Sequence, residues 1–242
     1  MALKVYVDRM SPPSRAVLLF CKVNGIEFEE ILLDILKNKH TTPEYKEINP
    51  MYKLPTIVDG EFKLFESHAI LIYLSCAFLG VPSHWYPSDL SKRSKLHSVL
   101  DWHHTNLHRG LGGLLFNTIL GQLKGLPLNA EAAKEGEKLL VKSLTKLENF
   151  WLKDGRFLVG SFQPSIADIS LVCGIMQLEL LSKKDHDRIL SPYKKVLQWI
   201  EDTKSVTAPH FDEVHGILFK VQKRIRERKE TQSGITEMKA KL

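Results

Sequence analysis

The spacing of apolar positions in the first part of the chain switches between the strand period and the helix period. Leu3–Val7 alternates apolar with polar residues, which predicts a β-strand. A crowded apolar stretch at 14–24, closed by Gly25, predicts a helix, and 28–33 predicts a second strand. Residues 34–50 are polar and irregular, so a loop is expected there.

A hairpin and a third helix are predicted next. Asp59-Gly60 separates two short apolar runs, which is a strong hairpin signal, and an apolar helix follows at 69–77. The order β-α-β, loop, β-β-α predicts an α/β domain with a mixed four-stranded sheet and helices packed on it.

The segment around this hairpin also has the features of a binding site. Pro55 leads into the first hairpin strand, while Glu66 and Ser67 open the helix that follows the second. Backbone groups near the proline and the positive end of the helix dipole suit a ligand that is both peptide-like and anionic.

The periodicity becomes wholly helical after a break at 81–89, where Pro82 and Pro87 mark a linker. The predicted helices are, in chain order, 90–120, 131–152, 165–181, 192–203 and 211–230. The first is expected to kink at its three glycines, Gly110, Gly112 and Gly113. The domain prediction is therefore 1–80 for the sheet domain, 81–89 for the linker, 90–230 for an all-helical domain and 231–242 for a flexible tail.

Composition narrows the class of protein. The chain has 242 residues, 43% of them hydrophobic, and a formal net charge of +6, which does not by itself indicate nucleic-acid binding. Its three cysteines form no C-x-x-C pair, which disfavours metal and dithiol redox motifs and fits a reducing compartment. The sequence shows no signal peptide and no run of about twenty apolar residues, so no membrane span is expected.

Ser11 follows the first predicted strand, at the sheet edge where ligands of open α/β sheets gather. A nucleophile would need a base, and no G-x-S-x-G elbow surrounds it. A helix cap fits Ser14, which adjoins the predicted helix, better than Ser11. We therefore expect Ser11 to act as a hydrogen-bond donor.

Asp168 has a structural explanation. Ser165 and Asp168 have the spacing of a reciprocal capping box at the start of a helix, just after Pro164. We expect the loss of Asp168 to affect folding rather than chemistry.

Taken together, these features resemble a glutathione transferase. The resemblance consists of the sheet domain with a proline before its hairpin, Glu66-Ser67, the helical second half and the capping box. Ser11-x-Pro13-x-Arg15, Trp85-Tyr86-Pro87 and Trp102-His103 are similar to the theta class, especially its plant members. The resemblance covers roughly residues 1–220 and implies a thioredoxin-like N-terminal domain.

The resemblance also implies roles for individual residues. Ser11 would donate a hydrogen bond to the glutathione sulfur. Leu54 would pair its backbone with the cysteinyl part, with Pro55 in the cis form, while Glu66 and Ser67 would hold the γ-glutamyl ammonium and carboxylate. His40 and Lys53 would bind the glycine carboxylate of glutathione, with Thr41 adjacent to them. Pro12 stands in this site where theta enzymes commonly have glutamine, and it offers neither a side-chain donor nor an N–H.

A second, acceptor pocket is expected from the first long helix. Met10, Leu111, Leu115 and Phe116 are candidates for its wall, although core packing explains them equally well. Theta enzymes often have an arginine near the electrophile, and the nearest residues here are His108 and Arg109. His104 and His108 share a helical face but lack the glutamate of the zinc hydrolase motif, so no metal site is predicted.

The resemblance implies an enzyme that conjugates glutathione to small hydrophobic electrophiles and reduces organic hydroperoxides. Glutathione would be a co-substrate, no cofactor is expected, and a homodimer is implied. The alternatives are a carrier or interaction module without catalysis, which intact Ser11, Glu66 and Ser67 argue against, and a cysteine-type thiol transferase, for which position 11 lacks a cysteine.

The last three residues suggest where the protein acts. Ala240-Lys241-Leu242 differs by one small residue from the Ser-Lys-Leu peroxisomal address. We therefore expect recognition by the peroxisomal import receptor and a location in peroxisomes as well as the cytoplasm. The basic residues between 220 and 229 are interpreted as a solvated helix end rather than a nucleic-acid or membrane contact.

Overall fold

A four-stranded mixed sheet organises the first part of the chain, as the sequence predicts. The computed structural model describes residues 2–240, with side chains described as far as 227. The strands are β1 Leu3–Val7, β2 Phe28–Leu32, β3 Thr56–Asp59 and β4 Phe62–Phe65. They lie in the order β2-β1-β3-β4, with β1 parallel to β2 and the other neighbours antiparallel. The thioredoxin-like fold class is confirmed.

Three helices also belong to this domain: α1 (Pro12–Val23), the short α2 (Pro43–Lys46) and α3 (Ser67–Ala77). The short helix α2 lies within the stretch 34–50 that was predicted to be a loop. Helix α1 begins two residues before its predicted start, at two prolines. Proline fits the first turn of a helix, because the backbone N–H groups there have no partner within the helix and the N–H that proline lacks is not needed. Ser11 is therefore the N-cap residue, contrary to the expectation that Ser14 would be, although the Ser11 side chain makes no capping hydrogen bond.

The second part of the chain is helical, with several turns that depart from α-geometry. Its α-helices are α4 Leu90–His103, α5 Arg109–Leu115, α6 Gly121–Leu123, α7 Ala130–Lys146, α8 Ile166–Ile175, α9 Lys183–Leu190, α10 Lys194–Val206 and α11 His210–Ala240. Three π-helical turns, at His104–His108, Phe116–Leu120 and Leu147–Trp151, continue the helices that precede them. Helix α9 was not predicted from the sequence.

The glycines of the first long helix have a different use from the predicted kinks. A Cβ on Gly110 would lie 2.6 Å from the backbone nitrogen of Leu140, and one on Gly113 would lie 3.0 Å from the Cα of Gly136. The glycines therefore let α5 and α7 pack backbone against backbone. The departures from α-geometry lie beside them, in the π-helical turns.

Asp168 anchors the start of α8, as the sequence predicts. Its carboxylate accepts hydrogen bonds from the Ser165 backbone N–H (2.8 Å) and hydroxyl (2.7 Å). The Leu158 N–H (2.9 Å) and the Trp199 indole N–H (2.8 Å) complete the set. This fully buried carboxylate therefore joins three segments of the helical half.

Helix α11 runs as far as Ala240, whereas the sequence predicts a flexible tail from residue 231. Lys241 and Leu242 of the tripeptide lie outside the described residues, as do the side chains from 228 onward. In the part of the chain that the structure covers, no helix combines the length and apolar character needed to cross a bilayer.

Candidate functional site

The loop that presents Ser11 is held by hydrogen bonds to the carboxylate and the backbone carbonyl of Asp8. Asp8 accepts hydrogen bonds from the N–H groups of Met10 (2.8 Å) and Ile35 (2.9 Å). The Ser11 N–H in turn donates to the Asp8 carbonyl at 2.9 Å. The position of Ser11 is thus tied to β1 and to the segment after β2.

A buried arginine connects this loop to the helical half. Arg15 donates from one guanidinium nitrogen to the carbonyls of Arg9 and Met10, both at 3.0 Å. Its other terminal nitrogen donates to the Cys173 carbonyl at 3.0 Å and to the Gln177 side chain at 2.7 Å. Burial lowers the pKa of Arg15 to about 10, which leaves it protonated at neutral pH. Sequence reasoning missed this role, and the only signal was an arginine among apolar neighbours.

The backbone before Pro55 is also fixed in place. The Lys53 carbonyl accepts hydrogen bonds from the Tyr45 hydroxyl at 2.6 Å and the Asn49 amide at 3.0 Å. The Leu54–Pro55 peptide bond is cis, as the resemblance implies. Neither Tyr45 nor Asn49 was singled out from the sequence.

Glu66 adopts a backbone conformation that side-chain-bearing residues rarely use. Its φ is 69°, and it directly precedes the first residue of α3, Ser67. Such conformations cost roughly 1–3 kcal/mol and cluster at ligand sites. The strain therefore supports a functional role for this corner.

A cavity of about 300 Å³ lies between these elements, and we call it the hairpin cavity. It brings together six of the predicted glutathione-site residues, Pro12, Lys53, Leu54, Pro55, Glu66 and Ser67. His103, His104 and His108 line its other side. Backbone groups, a cation, a carboxylate and a helix N-terminus thus face one space.

Three predicted residues lie outside this lining: Ser11, which borders the adjacent cavity described below, and His40 and Thr41. The Thr41 hydroxyl donates to the Asn38 carbonyl at 2.8 Å, and neither Thr41 nor His40 borders the hairpin cavity. Burial, together with the positive charges of Lys124 and Lys53, lowers the pKa of His40. His40 thus feels the positive charge of Lys53, which does line the cavity.

An adjacent space of about 270 Å³, the apolar cavity, has a mostly hydrocarbon wall. It is lined by Ser11 and by five residues expected in the acceptor pocket, Met10, His108, Leu111, Leu115 and Phe116. Arg109 borders neither cavity, so the structure separates it from the acceptor-pocket set that it was expected to join. Ile35, Leu36 and Leu120, which sequence reasoning did not select, extend the apolar wall.

Four histidines cluster beside the hairpin cavity. The His68 and His104 rings are 4.4 Å apart between centroids, and His103 lies 5.7 Å from His108. Burial, with smaller effects from His104 and His108, lowers the pKa of His68 to about 3. Burial also lowers the pKa of His103 far below its ordinary value and, together with His104, lowers that of His108. The cluster therefore contains neutral imidazoles at physiological pH.

The histidine cluster is not arranged as a metal centre. Among residues 2–227, no three His, Cys, Asp or Glu side chains are grouped so that they could hold a metal ion. Of the cysteines, Cys21 and Cys173 are buried, whereas Cys76 is exposed.

A larger cavity of about 540 Å³ lies elsewhere, between the linker, the start of α4 and the loop before α8. It contains none of the predicted site residues. Size alone therefore does not identify the site, and the two smaller adjoining cavities hold the candidate chemistry.

Comparisons with known proteins agree with this geometry. Family models described as the N-terminal and C-terminal domains of glutathione S-transferase match residues 1–75 and 130–202. The chain is 63% identical over 231 residues to glutathione S-transferase T1 of Arabidopsis thaliana, covering 95% of this chain and 94% of that protein. Glutathione S-transferase T2 of the same plant is 61% identical over 95% of this chain, which spans only 39% of that longer protein. Human glutathione transferase theta-2, solved in complex with glutathione and an unknown ligand, superposes with a TM-score of 0.85 at 34% identity, covering 93% of this chain and 91% of that one.

Proposed function

We propose a specific chemistry for this chain, which belongs to the glutathione transferase family and to its theta class. It conjugates glutathione to small hydrophobic electrophiles and reduces organic hydroperoxides with glutathione. The observation that supports this most directly is the shared wall of the two cavities. A peptide-and-anion site adjoins an apolar space, and Ser11 lines the apolar space next to Pro12, which borders both.

Glutathione binding would use the hairpin cavity end to end. The Leu54 backbone pairs with the cysteinyl part, while Glu66 meets the γ-glutamyl ammonium and Ser67 its carboxylate at the start of α3. Lys53, with His40 at the margin, meets the glycine carboxylate. Glutathione is a co-substrate in this scheme, and no cofactor is required.

Ser11 would favour the thiolate form of glutathione. A free thiol titrates near pH 8.5, and lowering its pKa by one unit corresponds to about 1.4 kcal/mol. One hydrogen bond to a charged acceptor contributes about 1.5–3 kcal/mol. A single hydroxyl is thus of the right size to produce a reactive thiolate near neutral pH.

Replacing Ser11 tests this role directly. We expect S11A to lower kcat by about 10- to 100-fold, with an aryl halide and with cumene hydroperoxide alike, because it removes one hydrogen bond to the thiolate. Calorimetry should show glutathione affinity within about threefold of wild type, since the hairpin cavity stays intact.

S11T, which keeps a hydroxyl, is the matched variant and should retain more activity than S11A. Unchanged turnover of S11A with both substrates would rule out the assigned role. A wild-type protein that binds glutathione but turns over neither substrate would favour the carrier alternative.

We also propose import into peroxisomes, in addition to a cytoplasmic pool, supported by the tripeptide Ala240-Lys241-Leu242. A fluorescent protein fused to the N-terminus should enter peroxisomes and stay in the cytosol when the tripeptide is deleted. A diffuse signal from both fusions would contradict this proposal. The homodimer implied by the family remains a proposal, which sedimentation can check.

A further inference from the structure

His108 occupies a position that few residues share. Only Pro12, His108 and Gly174 of the described residues border both the hairpin cavity and the apolar cavity. Of these three, only His108 has a side chain that can take up or release a proton. Its ring therefore lies where a thiol held in one cavity would meet an acceptor held in the other.

We infer that His108 moves the proton during hydroperoxide reduction, taking it from the glutathione thiol and returning it to the oxygen that leaves. This inference deepens the proposed function and rests on it. Ser11 and His108 then divide the work, because the hydroxyl stabilises the thiolate sulfur while the imidazole holds the proton that the sulfur has lost.

The reaction balances without any further reagent. The imidazole accepts the thiol proton, and the thiolate attacks one peroxide oxygen. The S–O bond forms as the O–O bond breaks, and the departing alkoxide takes the proton from the imidazolium. The sulfur is oxidised to a sulfenic acid and the peroxide is reduced to an alcohol. A second glutathione then displaces water from the sulfenic acid and gives the disulfide.

The surroundings of His108 favour the return of the proton to the leaving oxygen. The nearest titratable groups are His103 and His104, whose ring centroids lie 5.7 Å and 6.4 Å from that of His108. The hairpin cavity is also lined by Lys53 and Glu66. The apolar cavity is also lined by Lys124 and Asp8. Asp8 is already bonded to two backbone N–H groups. Within the described part of the chain, no carboxylate hydrogen-bonds the His108 ring.

The electrostatic consequence follows from these contacts. Protein atoms crowding the ring, and the neighbouring His104, lower the pKa of His108. The side chain is nevertheless accessible, because its free surface opens onto the two cavities. The imidazole is therefore neutral at pH 7, and its imidazolium, once formed, is a stronger acid than usual and returns its proton readily.

The other histidines of the cluster are less suited to this step. His103 is buried, with both ring nitrogens unpartnered, and His104 borders only the hairpin cavity. Neither borders the apolar cavity where the acceptor would lie. Of the two, His104 lowers the pKa of His108 and so keeps positive charge there unfavourable.

The test compares two acceptors that differ in their need for a proton. Cumene hydroperoxide releases an alkoxide, which needs one, whereas 1-chloro-2,4-dinitrobenzene releases chloride, which does not. We expect H108N to lower kcat with the hydroperoxide by about 10²- to 10³-fold across the pH range, as for loss of a proton-transfer group. The loss with the aryl chloride should be much smaller, because Ser11 still favours the thiolate, and it should vanish by about pH 9, where even a free thiol is ionised.

H97N is the matched control. His97 lies on α4, where it is exposed and contacts Tyr86 at 3.0 Å, outside both cavities, so both rates should stay at the wild-type level. If the wild type is active with the hydroperoxide and the H108N rate stays within threefold of it, the inference is overturned and the proposed function stands. Equal losses with both acceptors at every pH would also overturn the inference and indicate a structural role. A wild type inactive with the hydroperoxide but active with the aryl chloride would contradict the proposed function, and the inference with it.

Discussion

At the scale of single residues, Arg15 shows how the site depends on a side chain that touches neither cavity. Its guanidinium donates four hydrogen bonds to oxygen atoms of three carbonyls and one amide, and it is fully buried. Lysine cannot reproduce this fork, because its ammonium is a point charge on a flexible stem. Arg15 therefore fixes the Arg9–Met10 backbone next to Ser11.

We expect R15K to lower the free energy of unfolding by about 2–4 kcal/mol, because buried acceptors lose their donors. It should also lower kcat by displacing Ser11. Urea unfolding and steady-state kinetics measure the two effects. R156K is the control, since Arg156 forms a solvent-exposed pair with Asp202 and such pairs contribute little to stability. An R15K protein as stable and active as wild type would show that the loop is held by other contacts.

The sequence predicted residues that line the hairpin cavity better than the residues that hold them in place. Glu66 and Ser67 could be found because they open a helix after a hairpin, which is a local pattern. Arg15 could not, because its partners Cys173 and Gln177 are 158 and 162 residues away along the chain. Contacts at that separation depend on how the two halves of the protein pack, which no local pattern shows.

At the scale of helices, the contact between α5 and α7 depends on glycine. A Cβ on Gly136 would lie 2.3 Å from the Leu114 backbone nitrogen and 2.5 Å from the Gly113 carbonyl carbon. Backbone atoms cannot move aside as side chains can. The helix α5 that this contact holds also supplies Leu111 and Leu115 to the apolar cavity.

We expect G136A to lower the free energy of unfolding by about 1–3 kcal/mol, as overpacking does, even though alanine favours an isolated helix. G216A is the matched control, because a Cβ there meets nothing within 4 Å, and it should be neutral or stabilising by up to about 1 kcal/mol. Thermal or urea unfolding measures both. Stabilisation by G136A would mean that the helices can separate without cost.

The same glycines mark what periodicity can and cannot predict. The pattern of apolar residues located the long helices, because it reports one buried face. It could not distinguish a kink at Gly110 from a close helix crossing there, since both need a residue without a side chain. Helix α9 was missed for a related reason, because only Ile189 and Leu190 of its eight residues are buried.

At the scale of the whole molecule, the sequence predicted the order of the four strands and of the helices α1 and α3, and hence the mixed sheet, because each of these elements has its own local period. It missed α2, which lies in the predicted loop, and α9. It could not predict that two separate cavities meet at Pro12, His108 and Gly174. That junction combines residues from the start of α1, the π-helical turn after α4 and the end of α8. It exists only once the sheet domain has packed against the helices.

Buried histidines in both halves of the molecule give folding a common dependence on pH. Burial lowers the pKa of His68 beside the hairpin cavity, and that of His215 in α11, to about 3. His103 is shifted in the same direction. Below pH 6.5 the unfolded chain binds protons that the folded protein does not, so stability falls as the pH falls. His186, whose pKa is raised mainly by its hydrogen bond to Glu179, acts in the opposite direction.

Removing one of these groups isolates its share of the pH dependence. By the linkage relation, His215 costs about 2 kcal/mol of stability between pH 7 and pH 5. We expect urea unfolding of H215Q to show a loss over this range that is smaller than the wild-type loss by about that amount, whatever the variant's stability at pH 7. H97Q, at an exposed position, should keep the wild-type pH dependence. If H215Q lost as much stability as wild type between pH 7 and pH 5, His215 would have to take up its proton in the folded protein as readily as in the unfolded chain. That result would contradict the fully buried position of its imidazole, stacked on Phe211.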